Sequence, residues 1–523
     1  MIQESAPKLT KRASILETST FKDIKGDSIS PESIQAFQIS NARQATLLFV
    51  CSAAYEKAFP GKSLNIVSSY RDGVICQDYD LAKIEESDLD LLRKTMEEMI
   101  TGPSELKVFK MPRKEFKEYL QKKKYEDKIQ ILKLHRNDPI DVAQIEDFVD
   151  YTIDALSTNK KILLPFELNH VDKGFVLRYP LFSNPQKLMP FVNEPALTNI
   201  IQEYKEWQNL MECSTIPQLN HHIIKNSINE IKWISENLHN KKLFDLCNSI
   251  IASYPKKRVL TLAGPSSSNK TTVSLRLNLA LQATGFKTLV LSMDDYYKPW
   301  KDIAKDSEGK PNFEDMQAIN LDALQETFSS LLQGKVTKKR RNLFDGKGSV
   351  EINETFVLGD KQFIVIEGIL ALHDDFIKRI GEENIYRVFI HPYCLIQIDR
   401  HHIIRNSDCR LIRRMVRDYK FRSFMAEDTL TIWKKVRFAE EINIFPYTAS
   451  CDFIFNTSLI YELPVLSKYA KFLLYEIPES NENTFMVNKL LFLLNLFYPF
   501  DDDRKVPGIS FLREFIGGSD FDY

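Results

Sequence analysis

Hydrophobic and polar positions alternate in two different rhythms along this chain. From Ala42 to Phe59 the residues Ala45, Leu48, Phe49, Ala53 and Tyr55 recur at helical spacing and predict a helix. Short apolar runs at Leu64–Val67 and Gly73–Cys76 predict two strands, joined as a hairpin through Tyr70-Arg-Asp-Gly73. A helix is predicted from Ser87 to Met99, with Ser87 as its N-cap. Ile162–Leu164, stopped by Pro165, and Gly174–Arg178 predict further strands. Strands and helices without a βαβ rhythm predict an α+β domain. Residues 196–255 read as mostly helical. At Arg258 the rhythm changes. Strands at Val259–Leu262, Thr288–Ser292, Phe363–Glu367 and Val388–Ile390 are interleaved with helices at Thr272–Ala283 and Leu321–Leu332 and with a basic helix at Arg410–Tyr419. That alternation predicts an α/β fold with a doubly wound parallel sheet.

These patterns divide the chain into a polar, aperiodic arm over 1–38 that is expected to be flexible, an α+β domain over 39–195, a helical connector over 196–255, a parallel-sheet domain over 256–475 and a helical extension over 476–523. Lys+Arg number 70 and Asp+Glu 71, so no strong field selects nucleic acid or an acidic membrane as a partner. The 7 cysteines include no C-x-x-C pair, which points to free thiols in a reducing compartment and a cytoplasmic protein. The opening residues MIQESAPKLTKRASILETSTFKD have no apolar core of a secretory leader. The apolar stretch Lys489–Pro499 is too short to span a bilayer and reads as a buried helix. His221-His222 and His401-His402 lack Cys, Asp or Glu at ligand spacing and read as structural.

The chemistry is concentrated at Gly264-Pro-Ser-Ser-Ser-Asn-Lys-Thr271, which follows a strand and opens a helix. The phosphate-loop template is G-x-x-x-x-G-K-[ST] in that context. Such a loop turns backbone N–H groups and a helix N-terminus toward nucleotide phosphates. Gly264, Ser266, Ser267, Ser268, Asn269, Lys270, Thr271 and Thr272 are the candidate ATP-binding residues, with Lys270 reaching the outer phosphates and Thr271 ligating Mg²⁺. Asn269 stands where the template has its second glycine. Asn tolerates positive φ better than most residues, and its side chain is expected to keep the loop's shape while crowding the phosphates. An ordinary Ser-rich strand-to-helix turn is the plainer alternative. Asp294 follows the second strand of this half, at the carboxyl end where ligands bind in open sheets, placed to take a proton from a substrate hydroxyl. Glu367 ends the strand Phe363–Ile366, a position suited to holding Mg²⁺ with Thr271. Arg410, Arg413, Arg414 and Arg417 recur at helical spacing and could clamp phosphates; a solvated basic face is the plainer reading.

Several stretches together are similar to the phosphoribulokinase/uridine kinase family: Gly264–Thr272, Leu291-Ser-x-Asp-Asp-Tyr296, Val365-Ile-Glu-Gly-Ile369, Arg410-Leu-Ile-Arg-Arg414 and Arg417-Asp-Tyr-x-Phe-Arg422. From about residue 40 onward the chain resembles uridine kinase-like proteins fused to a threonyl-tRNA synthetase-like N-terminal domain. The resemblance implies a P-loop kinase fold using ATP and Mg²⁺, with a nucleoside-like small molecule as acceptor; a homo-oligomer stays open. It implies Asp294 as base at the 5′-hydroxyl, with Lys270 and Arg410 beside it in catalysis. Tyr297 and Glu314 would hold the acceptor together with Asp294 and Arg410, Glu367 would hold Mg²⁺, and Arg413 and Arg417 would lie in a helix over the nucleotide. Arg341-Asn-Leu343 stands where base-contacting aromatics are usual, and Asn41–Tyr55 lacks the synthetase editing H-x-x-x-H, so aminoacyl-tRNA hydrolysis is not expected. Asn269 and the altered base pocket also raise an alternative: a nucleotide-binding pseudokinase or regulatory protein with little turnover.

Overall fold

The computed structural model of the protein describes residues 31–135, 137–305, 309, 311–343, 346–500 and 502–522. Of the arm expected over 1–38, residues 1–30 lie outside the described residues. From Pro31 onward the backbone is helical, because extending a helix already fixed by its packed part adds a bond for each residue ordered, and proline suits a first turn. Helix α1 (Pro31–Ala58) leads into the hairpin β1 (Leu64–Tyr70) and β2 (Gly73–Asp78), then α2 (Glu86–Thr101), β3 (Leu106–Met111), α3 (Arg113–Lys123), α4 (Glu126–Leu134), β4 (Ile140–Ile145), β5 (Phe148–Tyr151), β6 (Glu167–Val171) and β7 (Gly174–Arg178). The strands form two antiparallel sheets in the orders β1-β2-β7-β6 and β3-β4-β5, so this half is α+β. Two local expectations change. Helix α2 is capped by Glu85, not Ser87, through a reciprocal box in which the Glu85 N–H donates to Asp88 at 2.8 Å. The run at Ile162 belongs to a 3₁₀ turn over Lys160–Leu163, capped by the Asn159 side chain; three apolar residues alone do not separate strand from helix.

Helices α5 (Pro195–Leu210), α6 (Ile216–Ile224) and α7 (Ile228–Ser253) lead to the second half. There the order is β8 (Val259–Ala263), α8 (Lys270–Ala283), β9 (Lys287–Ser292), α9 (Leu321–Leu332), the hairpin β10 (Thr337–Asn342) and β11 (Ser349–Phe356), β12 (Gln362–Gly368), α10 (Asp374–Ile380), β13 (Ile385–His391), a small hairpin β14 (Gln397–Asp399) and β15 (His402–Ile403), α11 (Asn406–Arg422), α12 (Ala426–Asn443), β16 (Phe453–Asn456), α13 (Glu462–Tyr475), α14 (Thr484–Asn495) and α15 (Arg513–Ile516). Five strands form one parallel sheet in the order β16-β13-β8-β12-β9. β8 and β13 are buried along their whole length, the pattern of a sheet covered on both faces. The chain runs outward from β8 to one edge and then returns to fill the other side. The carboxyl end of β8 is therefore the switch point where such sheets take ligands.

The two halves meet at the β14–β15 hairpin. The Ile66 N–H of β1 donates to the Arg400 carbonyl at 2.7 Å, and Arg400 pairs with Asp127 of α4 at 2.7 Å. Lys128, buried completely, pairs with Asp150 at 2.8 Å and Asp399 at 2.9 Å. His401 meets Asp150 at 2.8 Å and His402 meets Asp399 at 3.0 Å. The two histidines are thus structural, in a charged network that crosses between the halves. Beside it lies a small cavity of about 70 Å³. Among the described residues no group of three or more His, Cys, Asp or Glu side chains is placed to hold a metal ion by itself, all seven cysteines are unpaired, and no helix is long and apolar enough to cross a membrane.

Candidate active site

The segment Gly264–Asn269 turns the chain from β8 into α8, which begins at Lys270. Ser267 and Asn269 both sit in the left-handed region, at φ 61° and 69°. Asn269 therefore holds the conformation that the template gives to glycine, as its tolerance of positive φ allows. Gly264 answers to close approach instead. A Cβ there would lie 2.1 Å from the Ile390 carbonyl oxygen and 2.7 Å from Ser268 Oγ, so any side chain would push the loop off β13.

The arginines of α11 brace this loop from behind. Arg410 is fully buried; its Nε donates to the Ser266 carbonyl at 2.9 Å and its guanidinium pairs with Glu440 of α12. Arg413, also buried, donates to Asn269 Oδ1 at 2.9 Å and pairs with Glu462 of α13. Thr457 supports the loop further, its hydroxyl donating to the Ser268 carbonyl at 3.0 Å. Both arginines therefore reach the loop but are neutralised by buried glutamates, so they are not free to clamp phosphates. Arg414 reaches Ser266 Oγ at 2.9 Å, and Arg417 pairs with Asp418 at 2.7 Å. The Asn269 side chain, 1% exposed, points away from the expected crowding. Its Nδ2 donates to the Phe511 carbonyl at 2.8 Å and to Glu514 at 2.9 Å.

Acidic groups face the loop from the neighbouring strand ends. Asp294 lies in a 3₁₀ turn after β9, with Ser292 Oγ accepting from its N–H at 3.3 Å. The β10–β11 hairpin is tied to the same turn, the Asn342 N–H donating to Asp295 at 3.1 Å. The Tyr297 hydroxyl donates to the Phe313 carbonyl at 3.0 Å and lies beside Asp294. Glu367, the penultimate residue of β12, lies beside Thr271, and its Oε2 is buried with no partner among the described residues. Glu314 enters from the loop before α9; its carbonyl accepts from Asn443 Nδ2 at 2.7 Å.

These groups share one field. Burial lowers the pKa of Lys270 against the pull of Glu367, Glu514 and Asp294. Burial raises Asp294, with Lys270 opposing, and raises Glu367 in the same way. Glu314 is pushed up to about 7 by burial and then by Glu440. Mutually shifted charges at strand ends are the mark of a functional cleft. Lys270, Thr271, Asp294, Tyr297, Glu314 and Glu367 are brought together here. Glu440, Glu462 and Glu514 are not among the candidate site residues read from the sequence; their roles come from partners that lie far along the chain.

The residues present suit a magnesium-bound nucleotide. Besides Glu367 Oε2, the hydroxyls of Ser267 and Ser268 are buried without a partner among the described residues, in a turn where Gly264 leaves no room for a Cβ. Among the described residues Lys270 Nζ donates to its own loop, to the Pro265 carbonyl at 3.1 Å. Buried polar atoms are rarely left unsatisfied, so these four groups match the anionic oxygens and divalent ion of a phosphate chain.

Comparison with known proteins finds relatives of part of the chain. The chain is 26% identical over 178 residues to a uridine kinase of Halalkalibacterium halodurans, spanning 34% of this chain and 75% of that protein. It is 26% identical over 176 residues to a uridine kinase of Ureaplasma urealyticum, spanning 34% and 76%. Among solved structures it overlaps a D-glycerate 3-kinase from Cryptococcus neoformans at 12% identity, over 38% of this chain and 88% of that one, with a TM-score of 0.27. Residues 259–459, which hold the loop, the Asp294 turn and Glu367, match the Phosphoribulokinase / Uridine kinase family.

Proposed function

We propose that this protein is an ATP-dependent kinase that phosphorylates the 5′-hydroxyl of a nucleoside, or of a related ribose-bearing alcohol. The observation that carries the reading is the meeting of Lys270, Asp294 and Glu367 around the loop, with Ser267, Ser268 and Glu367 Oε2 unclaimed. In this reading Gly264, Ser266, Ser267, Ser268, Asn269, Lys270, Thr271 and Thr272 form the nucleotide cradle, and Thr271 with Glu367 holds Mg²⁺. When bound, Mg·ATP supplies the transferable phosphoryl group and the charge that neutralises it. Asp294 accepts the acceptor hydroxyl's proton as that oxygen attacks. Burial raises its pKa, with Lys270 opposing, and a raised pKa makes a carboxylate a stronger base. Tyr297 and Glu314 orient the acceptor. Arg410 and Arg413 hold the loop from behind, and Arg414 reaches it at Ser266 Oγ while sharing Asp418 with Arg417.

The functional units are then residues 39–195 and 256–475, joined by the connector 196–255 and followed by the extension 476–523. We take the first unit as threonyl-tRNA synthetase-like without editing activity, since Asn41–Tyr55 has no histidine. Purified protein given Mg·ATP and a panel of nucleosides and sugars is expected to release ADP with at least one acceptor. Asp294→Asn should cut kcat by about 10²–10³-fold while nucleotide affinity persists. No turnover with any acceptor, despite tight Mg·ATP binding, favours the second reading, a nucleotide-binding regulatory protein. That reading is motivated by Asn269 in place of the loop glycine and by Arg341-Asn-Leu343 in place of base-contacting aromatics.

A further inference from the structure

The second glycine of the phosphate-loop template gives the turn its left-handed residue at no steric cost. Here the same conformation, φ 69° and ψ 30°, belongs to Asn269, and something else must keep it there. Three contacts do. Arg413 donates to Oδ1 at 2.9 Å, and Nδ2 donates both to the Phe511 carbonyl at 2.8 Å and to Glu514 Oε2 at 2.9 Å. The same Glu514 oxygen accepts from the Thr272 hydroxyl at 2.5 Å, so one carboxylate grips the last loop residue and the first turn of α8 together. The segment that delivers Glu514 is itself fastened. Arg276 of α8 lies over the Phe511 ring at 4.4 Å, Arg413 lies over Phe515 at 5.1 Å, and Lys420 of α11 donates to the Ile516 carbonyl.

We propose that the segment Ser510–Ile516 is a working part of the nucleotide site, and that Glu514 is the positioning residue that holds Asn269 and Thr272 in their phosphate-binding arrangement. The inference rests on the kinase reading above. In place of a bare glycine, the loop takes its shape from a carboxylate 245 residues further along the chain. Asn269 and Glu514 act as one unit, and Glu514 acts on nucleotide affinity through the loop, without touching the acceptor.

The test uses the full chain, with Mg·ATP affinity, KM and kcat measured beside the thermal midpoint. Glu514→Ala is expected to weaken Mg·ATP binding by roughly tenfold with kcat at saturation near wild type, because two part-buried hydrogen bonds to a charged group are lost. Glu514→Gln, which keeps an acceptor oxygen at the same reach, should recover most of the affinity. In an Asn269→Gly background the loop supplies its own left-handed residue, so the loss caused by Glu514→Ala should shrink. Equal losses in both backgrounds, or unchanged affinity in Glu514→Ala beside a wild type that binds, would overturn this proposal and leave the kinase reading standing. A folded wild type that takes up no Mg·nucleotide sinks that reading and this proposal with it. Should Glu514→Ala fail to fold, hydrogen exchange on the wild type decides: Mg·ADP should slow exchange over 510–516, and unchanged exchange there refutes the role.

Discussion

Single carboxylates decide what the cleft does at a given pH. Glu314 is the clearest case, because burial and then Glu440 lift it from 4.5 to about 7. Its folded-state pKa lies above the unfolded one, so the stability it contributes is full below 4.5 and is lost as pH rises through 7. In the proposed function, acceptor binding runs the other way. Only the ionised group is a pure hydrogen-bond acceptor for sugar hydroxyls. The acceptor's KM should therefore fall as pH rises across 7, while Glu314→Gln shows a flat and weaker profile over that range; a wild-type KM that ignores pH there would remove Glu314 from the acceptor site. Asp294 shows the same logic in a milder form, since Lys270 opposes the burial that raises it.

At the scale of elements, α11 is the brace of the phosphate loop. Arg410, with its Glu440 partner, is wholly inside the protein. Removing Arg410 takes one of two cations from the buried Glu440, which keeps Arg437 at 2.7 Å, so the cost is nearer about 3 kcal/mol, the low end for a broken buried pair. Arg410→Leu should lower the unfolding free energy by that order in denaturant titration, and restoring neutrality with Glu440→Gln should regain part of it. A variant with unchanged stability but lost turnover would instead mark Arg410 as a phosphate contact. The elements with strong apolar rhythm, β8, β9, β12 and α9, were legible from sequence to within a residue or two. The β10–β11 hairpin was not. Its first strand, Thr337-Lys-Lys-Arg-Arg-Asn342, shows no alternation, and backbone pairing with cross-strand contacts such as Lys339 to Glu354 at 2.8 Å hold it together. Strands β3 to β6 were missed in a similar way, being short and partly polar. In the site, the loop, Asp294 and Glu367 announce themselves by local spacing. Glu440 and Glu514 do not, because each acquires its partner only when distant segments fold together.

For the whole molecule, the crossing network around Lys128 matters most. Lys128, Asp150 and Asp399 are each at most 2% exposed. They come from both halves, so neither half alone satisfies its buried charges. Lys128→Met leaves two carboxylates without their cation and should destabilise the protein by about 3–5 kcal/mol. Calorimetry of the wild type should show both halves unfolding in one transition. Two well-separated transitions, with Lys128→Met affecting just the first, would mean that the halves are energetically independent.

Only Ile404 and Arg405 separate the end of β15 from the start of α11. The tongue gripped by the first half thus opens almost without slack into the helix that carries Arg410 and Arg413. Arg405 is itself anchored, to Asp154 at 3.1 Å. The chain behaves as a lever whose fulcrum is ionic: trimming the gene at the apparent boundary near residue 256 would cut away the counterweights along with the first half. A minimal catalytic core made in that way would keep every motif residue of the cleft, yet its phosphate loop would have lost the footing on which its brace stands.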